Sequence, residues 1–270
     1  MNHTLGFIGA GKMVSAIVHS LLRQNSFSAK EVSCCSANDG TSERLSNDTG
    51  IMRFDTVEEM LETPPSVLIL GCKPQQIKDL PVSVGEKSSH CLLLSIMAGT
   101  TISTLTDAFP KARNIVRSMP NTPGQIGCGV TGYLFSSTPT KKDREIIEQI
   151  LASLGKAFEL GEETDLDRVT AISGSGPAYV FEFTCALEEA ARAIGLSKKL
   201  AKDLSLNTVI GAARLMEASE SSPLELRDQV TSPNGTTQSA LESFTADEFR
   251  TIVRHAVEAA KSRSLELSNE

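Results

Sequence analysis

Residues 5–13 read LGFIGAGKM, and this stretch decides the fold. Leu5 to Ile8 is a short apolar strand pattern that runs straight into a turn over Gly9, Ala10 and Gly11. A helical pattern follows at once, with apolar residues at Met13, Ile17, Val18, Leu21 and Leu22. Strand, Gly-x-Gly turn and helix, in that order, form the setting in which a dinucleotide fingerprint is credible. Gly9 permits the tight turn, and Gly11 lets the backbone approach a pyrophosphate at the helix start. Val14 holds the place of the usual third glycine, which leaves Met13 and Ala16 to provide close packing of helix on strand.

Outward from this turn, the second strand is Val32 to Cys35. A site that prefers NAD has a carboxylate near the end of this strand, ~20 residues past the turn, on the ribose 2′-hydroxyl. Here the chain reads Ser36-Ala37-Asn38, and Asp39 comes a few residues late. Small polar groups suit a 2′-phosphate, with Lys12 or Arg44 as its charge partner. NADPH is therefore the expected cofactor, with NADH also open; the plainer alternative is that Ser36 and Asn38 only make a turn. Further strand patterns at Ile51–Phe54, Val67–Cys72, Leu92–Met97 and Ile115–Met119 alternate with helical patterns at Val57–Leu61, Gln75–Leu80 and Ile102–Phe109. Apolar strands alternating with helices predict a parallel sheet covered on both faces. Ligands bind such sheets beyond the carboxyl ends of the strands. Three of those ends carry turn chemistry: Gly71-Cys72-Lys73-Pro74, Ala98-Gly99-Thr100 and Met119-Pro120-Asn121-Thr122-Pro123. Singly each reads as a loop; at one edge, beside the glycine turn, they read as a cofactor crevice. Val130–Phe135, a helix from Lys141 to Leu154, and Ala157–Leu160 complete a first domain over residues 1–163.

From residue 164 to 270 no further strand pattern occurs. Asp165–Ile172 is helical, and Ser173-Gly174-Ser175-Gly176-Pro177 interrupts it. Ala178 to Ile194 and Leu200 to Met216 are apolar on nearly every side, and a helix of that kind must be buried all round. A domain of ~100 residues cannot cover two such helices alone. An obligate dimer, assembled further or not, is expected through this half. Asp247 to Leu267 is amphipathic, with Phe249, Ile252, Val253, Ala256, Val257 and Ala260 in one stripe. Between these helices lies Ser232-Pro233-Asn234-Gly235-Thr236-Thr237, a polar turn with its hydroxyls where a helix should begin. Such a start suits a carboxylate or phosphate; the bland alternative is an ordinary helix cap.

Composition removes rival classes. A net charge of −7 with no long basic run argues against nucleic acid. No apolar segment approaches the ~20 residues of a membrane span, and the glycine-broken start does not read as a signal peptide. Cys34, Cys35, Cys72, Cys91, Cys128 and Cys185 show neither CxxC nor metal-ligand spacing, so a reduced, cytoplasmic protein without structural metal is expected. His3, His19, His90 and His255 are scattered, and histidine acid/base chemistry is not expected.

FIGAGKM at Phe7–Met13, CKP at Cys72–Pro74, RSMPNTP at Arg117–Pro123, SGSGPAY at Ser173–Tyr179 and DQVTSPNGTT at Asp228–Thr237 together resemble the pyrroline-5-carboxylate reductase family along essentially the whole chain. The resemblance implies an α/β Rossmann-type N-terminal domain followed by an all-α dimerisation domain that also binds substrate. It implies reduction of L-1-pyrroline-5-carboxylate to L-proline by hydride transfer from NADPH or NADH, the last step of proline biosynthesis. On this resemblance Gly9, Ala10, Gly11, Lys12 and Met13 wrap the pyrophosphate, although the family often has Asn at the place of Lys12. Ser36 lies by the adenosine ribose, and Lys73, Pro74, Ala98 and Gly99 line the nicotinamide side. Asn121 and Pro123 shape the loop that meets the substrate. Ser232, Gly235, Thr236 and Thr237 hold the substrate carboxylate and ring nitrogen, Thr237 being the catalytic candidate, and Glu220 stands near the pocket. Val14 and Asn234 depart from the family's small residues; Asn234 keeps a left-handed backbone open.

Other readings stay in view. The same two-domain plan serves 3-hydroxyacid dehydrogenases, but the lysine expected at the start of their second domain is absent until Lys198. A reductase of another cyclic imino acid is not separated by the sequence, and a non-catalytic nucleotide-binding paralogue would be expected to lose Ser232, Gly235, Thr236 and Thr237, which are all present.

Overall fold

β1 (Leu5–Ile8) sends Leu5 and Phe7 into one layer of core and Ile8 into the other, the period-two alternation of a strand buried on both faces. In this computed structural model, which describes residues 3–269, β1 leads through the glycine turn into α1 (Lys12–Arg23). There follow β2 (Val32–Cys35), α2 (Thr41–Thr49), β3 (Met52–Arg53), α3 (Val57–Met60), β4 (Val67–Leu70), α4 (Val82–Lys87), β5 (Leu92–Ser95), α5 (Ile102–Ala108), β6 (Asn114–Met119), β7 (Gly129–Phe135), α6 (Lys141–Ala152), β8 (Gly155–Glu159) and α7 (Thr164–Val169). The strands form one sheet in the order β3-β2-β1-β4-β5-β6-β7-β8. Strand order reverses between β1 and β4, which opens a crevice at that point. Val14, Ile17, Val18 and Leu21 of α1 and Ile147, Ile150 and Leu151 of α6 fill one face. Met60, Val84, Leu105 and Phe109 fill the other.

The sheet is parallel from β3 to β6, and β7 then runs antiparallel to β6. A parallel return needs a crossover of roughly a dozen residues or more. The β6–β7 link is shorter and holds only the 3₁₀ turn Thr122–Ile126, so the chain folds straight back. Two helices carry no readable periodicity. α2 is the polar run TSERLSNDT with only Leu45 as a buried apolar anchor, and α4 is short and holds Gly85 against the Ala108 carbonyl. Conversely, the helix expected at Gln75–Leu80 is a 3₁₀ turn, Pro74–Ile77.

The chain divides into two compact units. One runs to Ser175 and resumes from Ala260; the other is Gly176–Ala259. The sequence boundary at 163/164 thus falls earlier than the compact one. α7 belongs with the sheet because Leu166 and Asp167 are buried there and Val169 fills the space beside Gly132. Ser173–Pro177 does not stop the helix as expected. Residues Thr170–Gly174 widen into a π-helical turn, in which Ser175 N donates to Thr170 O at 2.8 Å, and α8 (Gly176–Ala193) follows. Pro177 falls in the first turn of α8, where its missing N–H costs nothing.

The second unit contains α8, α9 (Lys198–Ala218), α10 (Pro223–Gln229), α11 (Thr236–Ala246) and the first part of α12 (Phe249–Asn269). Ala201 is the one buried apolar residue among the described residues of this unit. Phe181, Ile194, Leu204, Ile210 and Leu215 are exposed.

Candidate functional site

The glycine turn is shaped by what lies against it. Gly9 N donates to Cys35 O at 2.7 Å, and Gly71 N donates to Ile8 O at 2.8 Å, so the ends of β2, β1 and β4 are tied together. Gly9 takes φ +99°, and a Cβ there would stand 2.6 Å from the Gly71 carbonyl. Gly11 is the cap of α1, with ordinary φ −69°, and a Cβ there would meet no protein atom within 4 Å. No side chain caps α1 and no acid lies in its first turn. Its first N–H groups therefore face open space with the positive end of the helix dipole, which suits a pyrophosphate. Ala10 is buried beneath this turn, Met13 packs on the core, and Lys12 is exposed at the first helical position. The close packing expected of a third glycine comes from Gly71 instead. Val14 is buried, and its Cγ2 occupies the space a Gly71 side chain would need.

A cleft of ≈ 710 Å³ runs along this edge, lined by Gly9, Gly11, Ser36, Asp39, Gly71 and Lys73 among others. Ser36 lines it just past the end of β2, where Ser42 N donates to Ser36 Oγ at 3.2 Å and Thr41 Oγ1 lies 3.1 Å away. Asp39 comes a few residues past the end of β2, and the chain brings it back to Ser36. Gly40 at φ +72° turns the backbone back, and Ser36 Oγ donates to Asp39 Oδ1 at 3.2 Å. Hydrogen bonds from the Thr41 hydroxyl and backbone hold the Asp39 carboxyl below its usual pKa. Lys12 and Arg44 border an adjoining groove of ≈ 950 Å³ with His19 and Arg23, and the two cavities share Ala10, Gly11 and Thr41. Neither cation has an ion-pair partner among the described residues.

Along the same edge, Lys73 N donates to Gln76 Oε1 at 2.9 Å, and Pro74 opens the exposed 3₁₀ turn. Ala98 is exposed at the end of β5; Gly99 follows at φ +72°. The cleft reaches Lys73 but not Pro74, Ala98 or Gly99. Asn121 is buried and engaged inside the protein. Its Nδ2 donates to Ser173 O and its Oδ1 accepts from Val130 N, both at 2.9 Å. These bonds fix the end of β6 and use one amide hydrogen and one oxygen lone pair of Asn121. Burial pushes the thiols of Cys34, Cys35 and Cys91 up to about 11, which leaves them protonated and unreactive near neutrality.

In the helical unit, Ser232–Thr237 forms the turn that begins α11. Asn234 takes φ +56°, the left-handed conformation left open by its sequence. Gly235 N donates to Ser232 O at 3.0 Å, and Asn234 N donates to Gln238 Oε1 at 2.8 Å. Gly235 is the cap of α11, and no side chain bonds the first N–H groups of this helix. The hydroxyls of Ser232, Thr236 and Thr237 have no partner among the described residues. The turn thus gathers Ser232, Gly235, Thr236 and Thr237 around an uncapped helix start. Glu220 is exposed in the α9–α10 connection and is not part of the turn. No group of three metal-ligating side chains occurs among the described residues, and no described helix is long and apolar enough to cross a membrane.

Residues 163–267 match the family model for pyrroline-5-carboxylate reductase dimerisation, and residues 4–99 match the model described as NADP oxidoreductase coenzyme F420-dependent. The pyrroline-5-carboxylate reductase of Pseudomonas aeruginosa is 36% identical over 269 residues, covering 98% of this chain and 97% of its own. Pyrroline-5-carboxylate reductase 2 of Bacillus subtilis is 33% identical over 268 residues, covering 98% and 95%. A pyrroline-5-carboxylate reductase structure from Coxiella burnetii superposes with a TM-score of 0.90 at 32% identity, over 99% of both chains. The Plasmodium falciparum pyrroline carboxylate reductase, solved with NADP bound, gives 0.83 at 30% identity over 99% and 98%. The glycine turn and the Ser232–Thr237 turn both lie within these end-to-end matches, and the chain accordingly belongs to the pyrroline-5-carboxylate reductase family.

Proposed function

We propose that this protein reduces L-1-pyrroline-5-carboxylate to L-proline at the expense of NADPH, as the last step of proline biosynthesis. The end-to-end match to reductases of that name carries the reading. The open face of Gly11 and the uncapped start of α11 supply the two anion seats that the reaction needs.

Bound NADPH supplies a hydride to the carbon of the imine. The residues of the chain position and discharge. The N–H groups at the start of α1 hold the pyrophosphate, with Ala10, Gly11 and Lys12 around it and Ser36 at the ribose. The N–H groups and hydroxyls at the start of α11 hold the substrate carboxylate without a cation. The Thr237 hydroxyl bonds the ring nitrogen and keeps its proton there, so that the protonated imine accepts the hydride and the amine of proline results. Positioning of this kind supplies much of the rate in a reaction whose acceptor is already activated. A second copy of the chain covers the apolar side chains left exposed on α8 and α9, so the working form is a homodimer or a larger assembly of dimers. The six cysteines are free, which suits a reducing cytoplasm.

The test is NADPH oxidation, followed by absorbance, with pyrroline-5-carboxylate as substrate and NADH as the comparison. Proline formation with NADPH preferred is expected. Folded, assembled protein that oxidises neither cofactor overturns the reading.

A further inference from the structure

Two strongly buried charges in the sheet unit take no part in the chemistry above. Arg117 on β6 is 5% exposed and Asp167 on α7 is 4% exposed. Arg117 Nη1 donates to Glu163 Oε1 at 2.6 Å, and the same oxygen accepts from Ile102 N at 2.8 Å. Ile102 is the first residue of α5, so Glu163 satisfies a helix-start N–H that local sequence leaves open. Asp167 Oδ1 accepts from Ser264 Oγ at 2.6 Å and from Ser268 Oγ at 3.4 Å, both on the last turns of α12. Arg117 Nη2 reaches Ser268 Oγ at 3.4 Å, which joins the two halves. The carbonyl of Leu267, between those serines, lies 3.1 Å from where a Cβ on Gly99 would stand.

The network therefore encloses one short segment. Residues 98–101 are the later part of the β5–α5 connection, and they are held at one end by Glu163 on Ile102 and backed at Gly99 by the last turns of α12. Burying the Arg117 and Asp167 charges is expensive, and a well-packed apolar cluster would serve stability as well or better. What the network adds is a fixed position for that segment. The sheet order gives the position its meaning. Adenosine groups fall on the β2 side of the β1–β4 reversal, where Ser36 and Asp39 lie, so the other half of a dinucleotide falls over the ends of β4 and β5.

We propose that Arg117, Glu163, Asp167, Ser264 and Ser268 are positioning residues that set segment 98–101 beneath the nicotinamide half of the cofactor, with the end of α12 as the strut. This rests on the proposed function for its catalytic readout but not for its binding readout. Two ligands separate the halves: 2′,5′-ADP carries only the adenosine half, and NADPH carries both. In the double variant Ser264→Ala, Ser268→Ala, 2′,5′-ADP should bind within about 2-fold of wild type while NADPH binds ~10-fold more weakly, a loss typical of misplaced contacts. Turnover should fall, and the primary isotope effect with 4-deuterated NADPH should rise as hydride transfer becomes limiting. Asp167→Asn keeps an acceptor oxygen for both serines and should restore most of the affinity ratio that Asp167→Ala loses. If the double variant does not fold, Ser268→Ala alone, which removes only the two 3.4 Å bonds, reads the same quantities. An unchanged ratio of NADPH to 2′,5′-ADP affinity in a folded variant overturns the proposal, as does equal weakening of both ligands. The binding ratio needs no substrate, so it stands apart from any failure of the proposed reaction.

Discussion

Gly9 and Gly11 sit two residues apart in one motif, and their replacement by alanine should fail in opposite ways. At Gly9 the backbone has φ +99°, and the new methyl would lie 2.6 Å from the carbonyl carbon and oxygen of Gly71 and 2.7 Å from Cys72 N. Those are backbone atoms, fixed by the Gly71 N–Ile8 O bond, and they cannot rotate away. Strain at such a φ is worth ~1–3 kcal/mol, and overpacking against backbone adds ~1–3 kcal/mol. The sum, ~2–6 kcal/mol, is a large part of a total stability of ~5–15 kcal/mol. At ~2–4 °C per kcal/mol, Gly9→Ala should melt ~4–24 °C below wild type. At Gly11 the φ of −69° suits any residue and the methyl meets nothing. Gly11→Ala should therefore melt within ~1 kcal/mol of wild type, the usual scale for cap substitutions. Its methyl, however, stands on the open face proposed to seat the pyrophosphate, so NADPH should bind ~10–100-fold more weakly, at about 1.4 kcal/mol per decade. Thermal melts followed by circular dichroism and a fluorescence titration with NADPH read the two quantities separately. A Gly11→Ala protein that binds NADPH like wild type refutes the pyrophosphate seat. A Gly9→Ala protein that melts like wild type refutes the steric argument.

Loss of the Thr237 hydroxyl removes one placed hydrogen bond, worth about 1.5–3 kcal/mol at a charged partner; Thr237→Ala should turn over ~10–100-fold more slowly, and undiminished turnover in folded protein removes Thr237 from the mechanism. Arg44→Ala should lower kcat/KM with NADPH ~10-fold and leave NADH nearly unaffected, whereas Asp39→Asn should shift preference further toward NADPH; equal effects on both cofactors place neither residue at the 2′-phosphate. His3 is buried beside Phe54, both ring nitrogens lack a partner among the described residues, and burial lowers its pKa below the ordinary 6.5. The unfolded chain then takes up the proton more readily, so stability is full above that ordinary value and falls as pH drops from it toward the lowered one. Urea midpoints at about pH 7.5 and about pH 5 should differ less in His3→Phe than in wild type. Finally, Ile210 is an exposed apolar residue of α9. Ile210→Asp should reduce the mass seen by light scattering, and the wild-type melting temperature should rise with protein concentration; a monodisperse wild-type monomer contradicts the dimer.

What the sequence disclosed was local in origin. The strand-turn-helix at residues 5–13, the apolar strands and the stripe along α12 each carry a period that can be read within one element. The turn at Ser232–Thr237 was legible because Pro233 and Gly235 break structure where hydroxyls begin a helix. What stayed hidden depended on partners far along the chain. α2 has no apolar period, since a single leucine anchors it. The reversed direction of β7 follows from the length of a link rather than from its composition. Asp39 returns to Ser36 through the tight turn in which Asp39 N donates to Ala37 O, a matter of backbone angle; the Asp-Gly-Thr spelling that follows was the available signal. The tie from Arg117 to Glu163 spans residues that share no local pattern, and the internal partners of Asn121, Ser173 and Val130, lie outside its own loop.

Val14 and Gly71 form a lock whose two parts sit on different elements. The space that a third glycine would leave on the helix has moved to the strand end. Val14 is therefore tolerable only beside Gly71, whereas Gly71 accepts a smaller residue 14. A lineage that enlarges residue 71 first meets the Val14 methyl and stalls; one that shrinks residue 14 first opens a small void and can then fill it from the strand side. The order of substitutions, more than their identity, decides which route is passable. A nucleotide fingerprint of this kind is best searched for as a sum of side-chain volumes across a helix and its neighbouring strand, not as a string of glycines along one turn.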